Sequence, residues 1–295
     1  MATITTGKTY FEPKFTDKLF SNVKGKSTLA GLTASEPIPF SGTGFFTFSM
    51  EGEVSIVGEG QKKPAGEASW GKVTVKPIKF IYQHRLTDEF THMSEEQQIP
   101  YLDAFTDGFQ KKMARALDIA AFHGLNPASK TASNIVGDNC FTTKVTQNVN
   151  FVEATPDENI DDAIAVLQQL EKDVTGMAIT PAFGSALGKM KDKNGLAIYP
   201  QFRFGAVPAS FGSMAVSQNT TLSFNDSKIK MILGDFANAF KWGYSQTATC
   251  EVIEYGNPDG LGDLKESNEI VLRSEAYMGW GIIDPSSFVK VVVTG

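Results

Sequence analysis

The chain has 295 residues, 41% hydrophobic and 20% charged, the composition of an ordinary globular protein that is long enough for two packed lobes. No apolar run reaches the roughly 18 residues of a membrane span, and the N-terminus, MATITTGKTY, lacks the apolar core of a secretory signal. A formal net charge of −6 argues against tight binding to nucleic acid, and two cysteines, Cys140 and Cys250, make neither a disulfide framework nor a metal cluster.

Residues 1–40 contain scattered aromatic residues with no clear period. We predict an extended arm whose apolar residues dock on another surface. The aromatic residues are Tyr10, Phe11, Phe15 and Phe20.

The stretch from Gly44 to Phe90 has the pattern of a long two-stranded hairpin. Val54 and Ile56 alternate with polar residues on the outgoing arm, and a polar tip, 58–71, is rich in Gly, Lys and Glu. The apolar residues of the returning arm are Val73, Val75, Ile78, Phe80 and Tyr82. Arms of about 13 residues would reach about 40 Å. Because an isolated hairpin is at best marginally stable, we expect it to lie on another surface, such as a neighbouring copy of the chain.

A long helix is predicted to begin at Ser94 and to end at Gly124, with Pro127 soon after. Its apolar positions recur every three or four residues, which indicates one buried face. They are Leu102, Phe105, Phe109, Met113, Leu117 and Ala120.

Two shorter helices follow. Thr155 and Glu158 predict a capping box, with Pro156 at the first helical position. The predicted buried stripe is Ile160, Ala163, Ile164, Leu167 and Leu170. The other helix should be capped by Thr180, begin at Pro181 and end at Gly195, and from Ile229 onward the chain turns rich in strands.

No pattern in the sequence indicates catalysis, a metal or a cofactor. Nucleotide-binding loops, nucleophile elbows and HExxH are absent, and His84, His92 and His123 lack metal-ligand spacing. His123 is expected to complement the C-terminal dipole of the long helix. The Asn and Asp residues of 256–263 suit either a cation or a turn, and a turn explains them better. They are Asn257, Asp259 and Asp263.

The order of these elements resembles the major capsid proteins of tailed phages, which have the Hong Kong 97 fold. VGEGQKKP followed by VTVKPIKF resembles the extended loop of that family, and EEQQIPYLDAFTDGFQKKMARALDIAAFHG its spine helix. AITPAFGSALGKMKDKNGLAIYP resembles part of the axial domain, MILGDFANAFKWG a strand beginning with Gly-Asp-Phe, and NEIVLRSEAYMGWGIIDPSSFVKV the closing strands. The resemblance covers roughly residues 45–293.

The resemblance implies an α+β fold with an N-terminal arm, a long extended β-hairpin loop, a peripheral domain with the spine helix, and an axial domain. The implied boundaries are 1–40 for the arm and lead-in, 41–83 for the extended loop, 84–126 for the peripheral domain with its spine helix, 127–243 for the axial domain, 244–281 for the return strands of the peripheral domain, and 282–295 for the final strand.

The implied function is structural, with no enzymatic activity and no cofactor. Copies of the chain would form pentamers and hexamers that tile an icosahedral shell around double-stranded DNA, which they contact non-specifically. A separate scaffolding protein and a portal are expected partners, a membrane is not, and the shell would assemble in the cytoplasm of the bacterial host. An encapsulin-type nanocompartment and a soluble enzyme are the alternatives, and the long hairpin favours the phage shell.

Six residues on or near the hairpin tip are expected to contact another subunit: Glu59, Gly60, Lys62, Lys63, Pro64 and Trp70. The family's founding member forms an isopeptide bond between a hairpin lysine and an asparagine, assisted by a glutamate. Lys63, Asn268 and Glu275 match that pattern. Strand alternation places the last two on opposite faces unless a bulge intervenes. The alternatives are a solvated Lys63, a turn at Asn268, and an ion pair between Glu275 and Arg273 or another base.

Overall fold

The structure is a computed structural model that describes residues 27–93, 95–245 and 249–294. The four aromatic residues of the predicted arm therefore lie outside the described residues. The first described element is a short helix, α1, where the sequence predicted only extended chain. The Ser27 hydroxyl caps it by accepting the Ala30 N–H at 3.1 Å.

Six helices and twelve strands follow one another in the described residues. The helices are α1 (Thr28–Leu32), α2 (Glu89–His92), α3 (Glu95–His123), α4 (Phe141–Lys144), α5 (Pro156–Gln169) and α6 (Pro181–Lys189). The strands are β1 (Thr43–Glu51), β2 (Glu67–Val75), β3 (Ile78–Thr87), β4 (Asn148–Asn150), β5 (Gly176–Ile179), β6 (Ser210–Phe211), β7 (Met214–Gln218), β8 (Ile229–Gly234), β9 (Phe240–Tyr244), β10 (Thr249–Ile253), β11 (Glu269–Ile282) and β12 (Phe288–Val292).

Strand β11 organises a four-stranded antiparallel sheet. It pairs with β3 along Glu269–Met278, and also with β9 and β10. The helix α3 packs near this sheet, and its aliphatic and aromatic side chains join Trp242 and Trp280 in one buried core. That core explains why the long helix has a fixed position although its N-terminal end is polar.

The second sheet has six strands in the order β4-β12-β8-β5-β7-β6. Its strands β8 and β12 are buried almost throughout, which explains why their sequences are apolar except for Lys230 and Lys290. The helices α5 and α6 cover it, and together they enclose a second core around Phe183 and Leu187. The predicted strand-rich character from Ile229 onward is confirmed.

The long helix agrees closely with its prediction. Five of the six stripe residues are buried, and Leu102 is partly buried. The helix ends at His123, and Gly124 has a φ of +69° while its N–H donates to the Ala120 carbonyl at 2.9 Å. Glycine adopts this left-handed conformation without the penalty that other residues incur, so it ends the helix as predicted.

The two shorter helices differ from prediction at their ends. Pro156 begins α5 and Thr180 caps α6 as expected, but the Thr155 side chain makes no capping hydrogen bond, so the predicted capping box is wrong. Leu170 is exposed because α5 ends one residue earlier. Gly195 does not end α6, which stops at Lys189; it occupies a separate turn closed by its N–H to the Asp192 carbonyl at 3.0 Å.

Within the described residues, no helix combines the length and the apolar character needed to cross a lipid bilayer.

Candidate assembly surface

The hairpin β1–β2 projects an apolar face that the described residues of the chain leave exposed. The nine-residue strands pair antiparallel from Thr43↔Val75 to Glu51↔Glu67. On one face, Phe46 is 69% exposed and Trp70 is 75% exposed, and the rings of Phe48 and Trp70 are in tilted contact with centroids 5.0 Å apart. Exposed aromatic residues grouped on one face of a strand pair are typical of an interaction surface.

The hairpin is shorter and its tip longer than the sequence predicted. Val54 and Ile56 do not alternate on a strand but lie beyond β1, where both are almost fully exposed. The paired arms of nine residues reach about 30 Å rather than about 40 Å. Ile78, Phe80 and Tyr82 belong to β3, which pairs with β11 and not with the hairpin.

The predicted contact residues fall into two groups. Glu59, Gly60, Lys62, Lys63 and Pro64 lie in the exposed tip between the strands, where the Gln61 N–H donates to the Gly58 carbonyl at 3.2 Å. Trp70 lies on β2 itself, within the apolar face. Phe46 and Phe48, which the sequence did not single out, share that face because they stand opposite Lys72 and Trp70 in the register.

The root of the hairpin is held by close contact with β11. Val75, near the end of β2, is buried, and its side chain packs against β11 at Gly279 and Gly281. A Cβ at Gly281 would lie 2.6 Å from Val75 Cγ2, and one at Gly279 would lie 2.7 Å from the Lys76 carbonyl oxygen. Only glycine allows the two strands to approach this closely.

The crosslink candidates are far apart within one subunit. Lys63 is exposed in the tip, and Asn268, with a φ of +51°, precedes β11 and accepts the Asp88 N–H at 2.8 Å. Glu275 lies seven residues further along and pairs with Lys79 at 2.8 Å, so its partner is another base than Arg273. Seven residues of strand span about 23 Å, so Asn268 and Glu275 of one chain do not form one site.

The loop 256–263 is a turn held by an arginine. Arg85 on β3 donates two hydrogen bonds to Asp259, at 2.6 and 2.8 Å, and one to Glu269 at 2.7 Å. The hydrogen bonds from Arg85 hold the pKa of Asp259 at about 2. Asn257 accepts the Gly262 N–H, so the turn interpretation explains this loop, and no described group of acidic, His or Cys residues is arranged to hold a metal ion.

Asp118 is a buried junction that sequence reasoning missed. It lies on α3 and accepts hydrogen bonds from the Ser27 hydroxyl and from the Thr28 N–H at 2.8 Å, so it fastens the start of α1. Thr221 donates to the same carboxylate at 3.1 Å. Burial raises its pKa to about 6 although these donors oppose the rise. A carboxylate at an otherwise apolar helix position was the signal available in the sequence.

His123 has a different role from the predicted one. Its Nε2 bonds to the Thr221 carbonyl at 2.8 Å, so it ties the end of α3 to the turn that also contacts Asp118. Burial lowers the pKa of His123, which favours the neutral ring over the cation that would interact with the helix dipole.

A groove of about 530 Å³ lies between β3 and α3. Apolar and aromatic side chains line most of it, with Lys112 and Arg115 at its side. Its described lining contains no carboxylate, histidine or cysteine.

Comparison with known proteins gives a consistent result. The family model described as the phage capsid family matches residues 7–293. A solved structure from Mycobacterium phage Ogopogo is 28% identical, with 91% of this chain and 92% of that chain covered and a TM-score of 0.78. No match to a curated protein sequence was found.

More distant structures share the fold. A structure from Gordonia phage Cozz is 22% identical, covers 92% of this chain and 87% of its own, and has a TM-score of 0.73. A capsid of a native GTA particle is 12% identical, covers 91% and 90%, and has a TM-score of 0.64. The α+β fold of the Hong Kong 97 type predicted from the sequence is confirmed.

Proposed function

Because the chain belongs to the phage capsid family, we propose that it closes an icosahedral shell by laying the hairpin β1–β2 over a neighbouring subunit. The chain is a major capsid protein and a component of the virion shell. This membership favours the phage shell over the cellular nanocompartment that the sequence left open.

The observation that carries the proposal is the uncovered apolar face of the hairpin. Phe46, Phe48, Met50 and Trp70 are all exposed, whereas the root of the strand pair contacts the body of its own subunit at Val73 and Val75. At about 25 cal/mol per Å² of apolar surface, covering such a face against another chain is a substantial driving force for association.

The remaining features of the assembly follow from this role. We propose that the four-stranded sheet with α3 is the peripheral domain, and that the six-stranded sheet is the axial domain around which pentamers and hexamers form. A separate scaffolding protein directs assembly in the host cytoplasm, a portal occupies one vertex, and double-stranded DNA contacts the shell non-specifically. The subunit has no enzymatic turnover.

The test distinguishes the effect of the length of the hairpin tip from the effect of its side chains. In one variant, Asn-Gly replaces residues 52–66 and joins the paired residues Glu51 and Glu67 by a two-residue turn. In a matched control, a Gly/Ser segment of equal length replaces the same residues. We expect the shortened variant to give folded capsomers that do not close into shells in electron micrographs.

Normal, stable shells from the shortened variant would contradict the proposed role of the hairpin tip. Shells from the length-matched control alone would show that reach matters more than the side chains of the tip. Circular dichroism on the capsomers establishes that both variants are folded.

The covalent crosslink stays a prediction. In the chemistry, the Lys63 amine attacks the side-chain amide of Asn268, ammonia leaves, and a carboxylate accepts the proton of the amine. Since Asn268 and Glu275 are far apart in one chain, Glu275 would have to come from a further subunit. Particles boiled in detergent decide the matter: a single band near 32.0 kDa excludes the crosslink, and ladders lost in Lys63→Ala establish it.

A further inference from the structure

A second cavity, of about 480 Å³, opens where the end of α3, the segment after α4 and the strand β12 meet. Two lysines and several polar side chains line it, although the chain as a whole is acidic. None of the described residues that line it is acidic. The polar members are His123, Thr142, Asn148, Asn225, Ser227, Lys228 and Lys290.

Lys290 is the unusual member of this set. It is only 7% exposed, and its Nζ donates to the Thr142 carbonyl at 2.8 Å. An ammonium carries three donors, and the ion pairs among the described residues do not include Lys290. Burial lowers its pKa. A buried cation without a counter-charge is costly, so an anion in the cavity would stabilise it.

Other polar side chains of the cavity lie near Lys290 and could also contact an anion. Asn148 stands opposite Lys290 in the parallel β4–β12 register. Lys228 is exposed, and its carbonyl accepts the Val293 N–H at 3.0 Å, which fixes its backbone beside the end of β12. Burial lowers the pKa of His123, which favours its neutral ring, so Lys228 and Lys290 are the cationic side chains of the lining.

We propose that this cavity binds a phosphate oxyanion, with the Lys290 ammonium at its inner wall and Lys228 at its mouth. Lysine binds phosphate as a point charge, and the amide of Asn148 and the hydroxyl of Ser227 provide neutral hydrogen-bond donors nearby. The phosphate comes either from a free inorganic ion or from the phosphodiester backbone of nucleic acid. The inference is independent of how the hairpin contacts its neighbour.

The first experiment uses unassembled subunits of the full chain and inorganic phosphate. Thermal unfolding is followed as phosphate replaces chloride at constant ionic strength. A ligand that binds the folded state raises the melting temperature in a saturable way. We expect this rise in the parent, a Kd at least fivefold weaker in Lys228→Gln, and no saturable rise in Lys290→Met, which keeps the aliphatic stem.

Lys193→Gln is the matched control, because Lys193 is an exposed lysine in a turn outside the cavity. It should bind phosphate as the parent does. An equal response to phosphate in Lys193→Gln and Lys228→Gln would overturn the proposal, as would the absence of saturable binding in the parent. If Lys290→Met does not fold, this pair of variants still decides the question.

A second measurement distinguishes the sources of phosphate. A short DNA duplex is titrated against the same proteins at the same ionic strength. DNA binding that weakens in Lys228→Gln but not in Lys193→Gln assigns the site to a phosphodiester. Saturable binding of inorganic phosphate alone assigns it to the free ion, and binding of neither overturns the proposal.

Discussion

The hairpin β1–β2 and the central strands of the six-stranded sheet contain similar apolar residues in opposite surroundings. In β8 and β12, residues such as Leu233 and Val291 are completely buried within the subunit. In the hairpin, Phe46 and Trp70 are mostly exposed. Apolar residues in the sheet therefore stabilise the folded subunit, whereas those in the hairpin are available to a partner.

If the hairpin acts as we propose, stability and assembly are supplied by separate parts of one chain. Substitutions at buried residues should therefore lower the stability of the subunit most, and substitutions at exposed hairpin residues should lower only the yield of shells.

Phe109→Ala should have the largest effect on the subunit. Its ring is 3% exposed within the core under α3, so its removal should lower the free energy of unfolding by about 3–5 kcal/mol. Urea denaturation of unassembled subunits measures this. The same substitution at Phe46 is the control and should change the free energy by less than about 0.5 kcal/mol. If Phe109→Ala unfolds like the parent, the buried face of α3 is wrongly assigned.

Asp118→Asn should have the next largest effect, and its effect should depend on pH. An amide cannot accept all the hydrogen bonds that Ser27, Thr28 and Thr221 donate, which costs about 1–3 kcal/mol. Burial raises the pKa of Asp118 to about 6, above its ordinary value of 3.8, so the folded state binds the proton more tightly than the unfolded state.

The stability that this proton contributes is fully present below pH 3.8 and is lost as the pH rises through about 6. The difference in unfolding free energy between the parent and Asp118→Asn should therefore grow by about 1 kcal/mol as the pH falls from 7 to 5. Denaturation of both proteins across this range checks the sign, and a difference that is constant with pH would contradict it.

Arg85→Lys should act locally. A lysine cannot reproduce the paired hydrogen bonds to Asp259 together with the bond to Glu269, so the loop 256–263 should open more often. We expect hydrogen exchange of the Leu261 and Gly262 amides to become roughly tenfold faster. Arg203→Lys is the control, and unchanged exchange in both variants would show that the arginine does not hold the loop.

Trp70→Ala should have the smallest effect on the subunit. Its ring contacts Phe48 but is 75% exposed, so the free energy of unfolding should change by less than about 0.5 kcal/mol. The yield of closed shells, measured by sedimentation, should nevertheless fall. If Trp70→Ala lowers the free energy of unfolding but forms closed shells as the parent does, then the hairpin stabilises the subunit and does not serve assembly.

The sequence predicted the parts of the fold that have a regular pattern. The stripe on α3 and the proline that begins each of α5 and α6 are local signals, and the structure confirms them. The split of the returning arm at Pro77 was not predicted, because β2 and β3 have the same alternating pattern and differ only in their partner strands.

The sequence analysis placed its candidate contact residues in the hairpin but did not single out Phe46 and Phe48. Lys63 and its neighbours have a sequence typical of a turn, which predicts exposure. Phe46 and Phe48 are of a residue type that is usually buried in strands. Their exposure in the structure shows that the described residues of the subunit leave both rings uncovered. Asp118 and Lys290 were missed for a related reason: what matters for both is a contact with residues about 90 or more positions away.

The two glycines beneath the hairpin root have a consequence at the scale of the particle. Gly279 and Gly281 let Val75 and Lys76 approach β11 within the space that one methyl group would occupy. That approach fixes how the hairpin leaves the body of its subunit. If the hairpin lies over a neighbouring subunit as we propose, the absence of these two methyl groups also affects the curvature of the closed particle.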